Sequence, residues 1–174
     1  MRGARMLHSI QTWLGTTFPA AYVRDVVSVK ALLESLHILS NAVILFSIGM
    51  ITLRLMGLAG RSQPVAGMVK RFSPWVWGAL AVTAVTGIVL LTGAGRRGLD
   101  NPMFAVKLTT MVSAIIATAA LQLTLSADAA FWELNAARRA SAKVVAPLCF
   151  LLWVATVCAG RWLAYSQSFF APTY

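Results

Sequence analysis

The sequence predicts an all-α protein: a polytopic membrane four-helix bundle with an N-terminal amphipathic surface helix. Two observations carry that prediction. Of 174 residues, 59% are hydrophobic and 11% charged, with a mean hydropathy of +0.75, which is more apolar surface than a soluble domain of this size hides from water. The apolar residues also gather into four charge-free runs, Ser35 to Leu53, Phe72 to Gly95, Leu108 to Ala127 and Val144 to Gly160, and a span needs about 20 residues. Lipid gives backbone groups no partners, so each run is helical; a barrel strand would alternate in polarity, and these runs do not.

The elements follow in chain order. Residues 1–28 form an N-terminal surface segment and residues 29–174 the bundle. In the surface segment Met6, Leu7, Ile10, Trp13 and Leu14 recur at helical spacing, the pattern of a helix lying in the interface. The segment has no apolar stretch of signal-peptide length and no small-residue cleavage site, so it is expected to be retained. Pro19 restarts the chain, and Ala20 to Arg54 is expected as one long helix whose first turns stand above the bilayer. The second span places Ala79, Thr83 and Gly87 four residues apart. The turn-like Asp100 to Pro102 opens the third. The fourth carries Ala155 with Ala159 and Thr156 with Gly160, small residues that let helices approach closely.

Four spans put the N-terminus, the second loop and the C-terminus on one side of the membrane, here side A, and the first and third loops on side B. Side B carries seven basic residues close to the spans. Side A retains Arg24, Lys30, Arg96 and Arg97 once the distant Arg2 and Arg5 and the span-end Lys107 and Arg161 are set aside. The positive-inside rule then makes side B cytoplasmic and both termini periplasmic. The net charge of +10 is spread over loops that flank spans, so its partner is the anionic bilayer surface and not nucleic acid. The glycine-rich GIVLLTGAGRRG follows a span and lacks the lysine and hydroxyl of a phosphate loop.

Within the first span, Lys30, Glu34, His37 and Asn41 are spaced by four, three and four residues and share one helix face. Lys107 lies in the first turns of the third span, on a face with Thr110, Ala114 and Thr118, and Arg161 ends the fourth. Three helices thus bring Glu34, His37, Asn41, Lys107 and Arg161 to a similar depth near side A. Ionisable groups in spans turn inward and pair, because facing lipid costs on the order of 2 to 4 kcal/mol each. A polar site open towards side A is the reading that joins them. The competing reading leaves Lys30 and Glu34 as an ordinary pair in the headgroups, with Lys107 and Arg161 snorkelling.

His37 is one of two histidines in the chain, and the other, His8, lies in the surface segment. Haem held between facing histidines is therefore not expected. The single E-x-x-H, Glu34 with His37, lacks the second copy that a carboxylate-bridged dimetal bundle needs. Two ligand classes stay open. Copper accepts imidazole and sulfur, for which His37 and Met111 are the candidates, with Met103 and Cys158 on the same side. A quinone would take hydrogen bonds from His37 or Lys107 while Glu34 exchanges a proton. Cys149 and Cys158 stand near 180° apart on one helix, so they form no disulfide with each other and are expected as small buried hydrophobes.

From WLGTTFPAAYVRDVVSVKALLESLHILSNAVILF through NPMFAVKLT to AGRWLAY, the chain resembles a group of small uncharacterised bacterial four-helix membrane proteins. They share an E-x-x-H in the first span, a basic loop before P-W-x-W, an N-P-x-F-x-x-K opening the third span and a late G-R-W. The first-span histidine, the RFS before an apolar run ending in LTG and the lysine of the next helix also look distantly like the membrane domain of copper-resistance D-type proteins. The resemblance lands on Glu34, His37, Asn101, Pro102, Lys107, Gly160 and Arg161. The chain departs from the pattern at Thr52, where an aspartate is frequent, and at Leu121 and Gln122, where a histidine is common; the missing histidine weighs against haem. The resemblance implies a bacterial inner-membrane protein. Its expected role is redox- or copper-related, with metal or quinone bound at the side A site. The alternative is a non-catalytic accessory subunit docked to a membrane protein partner or to a second copy of itself.

Overall fold

The computed structural model describes residues 23, 25–60, 62–94, 101–127 and 135–169. It contains α1 (Val27–Leu55), α2 (Val65–Ala94), α3 (Pro102–Ala127) and α4 (Ala136–Phe169), and all four are long and apolar enough to cross a membrane. The amphipathic segment of the first 22 residues lies outside the described residues. Each helix continues past its charge-free run. The 30 residues of α2 span about 45 Å against a hydrocarbon core of about 30 Å, so its ends reach the headgroups. Only 17–33% of the residues in the most apolar windows are buried. The outward positions are nevertheless apolar, with Leu32, Phe46, Val85, Ile116 and Leu151 among them, as helices solvated by lipid require. The chain is a multi-pass membrane protein.

The helix expected to run unbroken from Ala20 to Arg54 is interrupted at Val26. Val26 is extended, with φ −109° and ψ 95°, and α1 begins only at Val27. Val26, Val27 and Val29 are β-branched and weaken a helix here, and no side chain caps the break. The other helix ends are written in the sequence. α1 closes with Leu58 N–H donating to the Leu53 carbonyl and Gly57 N–H to that of Arg54, a turn that places Gly57 at φ 74° where glycine carries no steric cost. Asn101 caps α3 through its side-chain oxygen, which accepts from Met103 N–H at 2.9 Å, and Pro102 fills the first helical position, where a missing N–H costs nothing. Asn135 caps α4 in the same way through Arg138 N–H.

Helices pack chiefly as two hairpins, α1 on α2 and α3 on α4. α1 also meets α4, and α2 meets α3 only sparingly. The core joins the hairpins through Ile44, Ile48, Val76, Ala114, Cys149 and Trp153, with a second cluster of Ile51, Val65, Val69 and Leu121 towards side B. Polar side chains pin this packing. Trp153 Nε1–H donates to Thr118 Oγ1 at 3.0 Å, Thr52 Oγ1–H to the Ala146 carbonyl, and Trp77 Nε1–H to Gln122 Oε1 at 2.7 Å. That last bond ties α2 to α3 at their side B ends. Of the residues where the chain departs from the pattern it resembles, Thr52 and Gln122 thus make interhelical bonds and Leu121 lies in the core. Cys149 is buried as expected, with its sulfur 3.3 Å from Thr118 Oγ1; Cys158 is instead exposed.

Candidate functional site

Towards side A the α1–α2 joint turns polar. His37 projects from α1 onto α2, where its Nδ1 lies 2.8 Å from Thr86 Oγ1. One turn further in, Ser40 and Thr83 meet through their hydroxyls at 2.8 Å. The two bonds form an antiparallel ladder, because Ser40 is three residues after His37 and Thr83 three before Thr86. Gly87 gives the imidazole its place, since a Cβ there would stand 3.2 Å from His37 Cε1. The Thr86 hydroxyl has one proton and gives it to the Val82 carbonyl at 2.7 Å. It therefore accepts from Nδ1–H, and the neutral ring carries its lone pair on Nε2. Nε2 has no hydrogen-bond partner among the described residues.

Lys107 comes from the other hairpin. The cap at Asn101 and Pro102 starts α3 at a fixed point, which sets Lys107 about one and a half turns into the span. Its aliphatic end lies along α4 at Gly160, where a Cβ would meet Cε and Nζ at 3.4 Å. Lys107 is half-buried. Among the described residues it makes no ion pair or hydrogen bond.

The remaining members of the expected set have other partners. Glu34 is exposed and lies 3.9 Å from Lys30 one turn earlier. Arg161 is exposed, donates to Tyr165 Oη at 3.1 Å and stacks over that ring at 5.4 Å. Asn41 donates Nδ2–H to the His37 carbonyl at 2.7 Å, bracing the turn that carries the imidazole. Met111 is half-buried one turn beyond Lys107. Of the five residues, His37 bonds to α2 and Lys107 packs on α4, whereas the bonds of Glu34, Asn41 and Arg161 are to neighbours on their own helices.

A family model covers residues 9–166 of this chain, taking in all four spans and every residue of the site. The chain belongs to the family of unknown function DUF6644. No curated protein and no solved structure matches it. In this DUF6644 member, Thr86, Gly87 and Gly160 shape the site as much as the charged residues do. A sequence signal existed for the first two: Thr83 and Thr86 sit beside the Ala79, Thr83 and Gly87 series, so the small face of the second span is also its hydroxyl face. Among the described residues of this DUF6644 chain, no three of His, Cys, Asp and Glu gather as metal ligands. What the arrangement offers is one fixed proton acceptor, His37 Nε2, and, at the same end of the bundle, one cation with three donor hydrogens.

Proposed function

We propose that this protein binds a quinone in the bacterial inner membrane, between His37 and Lys107, at the end of the bundle that faces the periplasm. The observation that carries the reading is the pairing of an acceptor with a donor at one depth: a histidine fixed by Thr86 with Nε2 open, and a lysine with no ion pair among the described residues. A quinone carbonyl suits the Lys107 ammonium, and the hydroxyl of the reduced form suits Nε2. Both groups sit within a span, where a lipid-soluble ligand arrives through the bilayer. Glu34, one turn nearer side A on the same face, connects the imidazole to protons at the surface.

Copper, which the distant likeness to copper-resistance D-type proteins would favour, is the weaker reading. It would rest on His37 and Met111, and among the described residues no three of His, Cys, Asp and Glu gather to complete a metal site. The test is extraction and chromatography of purified protein, with metal analysis and an absorption spectrum of the same sample. Quinone is expected at near-stoichiometric amounts in wild type and absent from His37→Ala, whose helicity and melting remain close to wild type because helix packing holds the spans. Wild type without quinone, or His37→Ala that keeps it, would replace this reading with that of a non-catalytic subunit of a larger membrane complex.

A further inference from the structure

A second feature lies near side B, on the outer face of α1 and α2. Ala42, Val43, Phe46 and Ser47 of α1 and Arg71, Phe72 and Trp75 of α2 line an open groove of about 560 Å³, within the range of about 300 to 1,000 Å³ typical of ligand pockets. Its walls are apolar apart from Ser47 and Arg71. Phe46 and Phe72 meet edge to face at 6.0 Å and form the floor, and Arg71 stands over the Phe72 ring. Arg71 is the last charge before the apolar run of α2, which sets its guanidinium at headgroup level with the groove running inward below it. It makes no ion pair among the described residues, and the exposed Lys70 adjoins it.

We infer that this groove is a binding site for one anionic phospholipid of the side B leaflet, with the acyl chain against Phe46, Phe72 and Trp75 and the phosphate on Arg71. The charge decides the occupant. A second copy of this chain would bring another Arg71 to the same face, and a zwitterionic lipid would leave the guanidinium without net compensation. A guanidinium matches phosphate with two parallel hydrogen bonds, and its stacking on Phe72 holds it over the groove mouth. The lining from Ala42 to Ser47 rises about 7.5 Å along α1, half of the roughly 15 Å depth of one leaflet. Ala42 to Ser47 lie in the middle of the Ser35 to Leu53 run, so on α1 the groove meets the inner half of the acyl chain, below the phosphate on Arg71.

Trp75 reports occupancy directly, because bromine atoms on an acyl chain quench a tryptophan that touches it. The full protein is reconstituted in phosphatidylcholine vesicles with increasing phosphatidylglycerol, the bromine carried by one lipid or the other. The Trp75 signal is the difference between wild type and Trp75→Phe. Brominated phosphatidylglycerol is expected to quench Trp75 at a mole fraction about fivefold lower than brominated phosphatidylcholine does, the preference of one basic residue at an anionic surface. Arg71→Gln is expected to abolish that preference, and Lys70→Gln to keep most of it. Equal quenching by the two lipids in wild type, or a preference that survives Arg71→Gln, would overturn the site. So would Trp75 shielded from both lipids in a cross-linkable dimer.

Discussion

Thr86→Val tests the geometry of the side A site without touching either group that would meet a ligand. Valine keeps the shape and branching of threonine and removes the oxygen that receives His37 Nδ1–H at 2.8 Å. Interhelical hydrogen bonds in membranes average about 0.6 kcal/mol and reach about 1.7; a short, half-buried bond falls near the middle, so a loss of about 1 kcal/mol in stability is expected. Affinity is affected separately. Without its acceptor the imidazole rotates and changes tautomer, and fixing it again on binding costs about 0.5 to 1.5 kcal/mol, a weakening of roughly two- to tenfold. Thr83→Val is the control, since it breaks the Ser40–Thr83 bond of the same length but leaves the ring anchored. Unfolding in mixed micelles reads stability, and calorimetric titration with a short-chain quinone in nanodiscs reads affinity. The two variants should lose similar stability while only Thr86→Val loses affinity. Equal affinity losses, or none, would refute the claim that Thr86 presets His37.

Lys107→Met should leave the bundle as stable as wild type or about 1 kcal/mol more so, because it removes a desolvated charge; quinone affinity should fall at least about tenfold for the lost charged hydrogen bond. The same pair of assays decides it, and a marked loss of stability would point to a structural ion pair. Glu34→Gln should change unfolding by less than about 0.5 kcal/mol, as expected for an exposed pair one turn apart on a helix. A loss above about 1 kcal/mol in that measurement would place the carboxylate in an interior network.

The number of spans was legible because hydrocarbon imposes a length and forbids charge, so Ser35 to Leu53 and its three counterparts announced themselves. The helix starts at Asn101 and Pro102 were equally plain, since capping chemistry is local. Helix order and span position put Glu34, His37, Asn41, Lys107 and Arg161 towards one end of the bundle. What spacing did not reveal was partner choice. The helical spacing that put Glu34 three residues before His37 on one face also put it four residues after Lys30, and that nearer cation holds it. Arg161 found Tyr165 by the same local rule. Thr86 was overlooked because a threonine carries no charge to mark it, although its hydroxyl fixes the imidazole. The helix break at Val26 was hidden as well, because a weak run of β-branched residues gives no punctuation like that of Pro19.

Because α1 packs on α2 and α3 on α4, sequence neighbours are spatial neighbours, and most of each half's packing lies within that half. The His37–Thr86 and Ser40–Thr83 ladder belongs wholly to the first hairpin, whereas Lys107 and its seat at Gly160 belong wholly to the second. Biogenesis therefore yields two half-sites in succession: an oriented imidazole first, a cradled ammonium later. Neither half has the complementary pair of groups. Docking of α1 against α4 joins the two halves, so on the quinone-binding proposal, holding the ligand would report that the whole chain has been inserted and assembled.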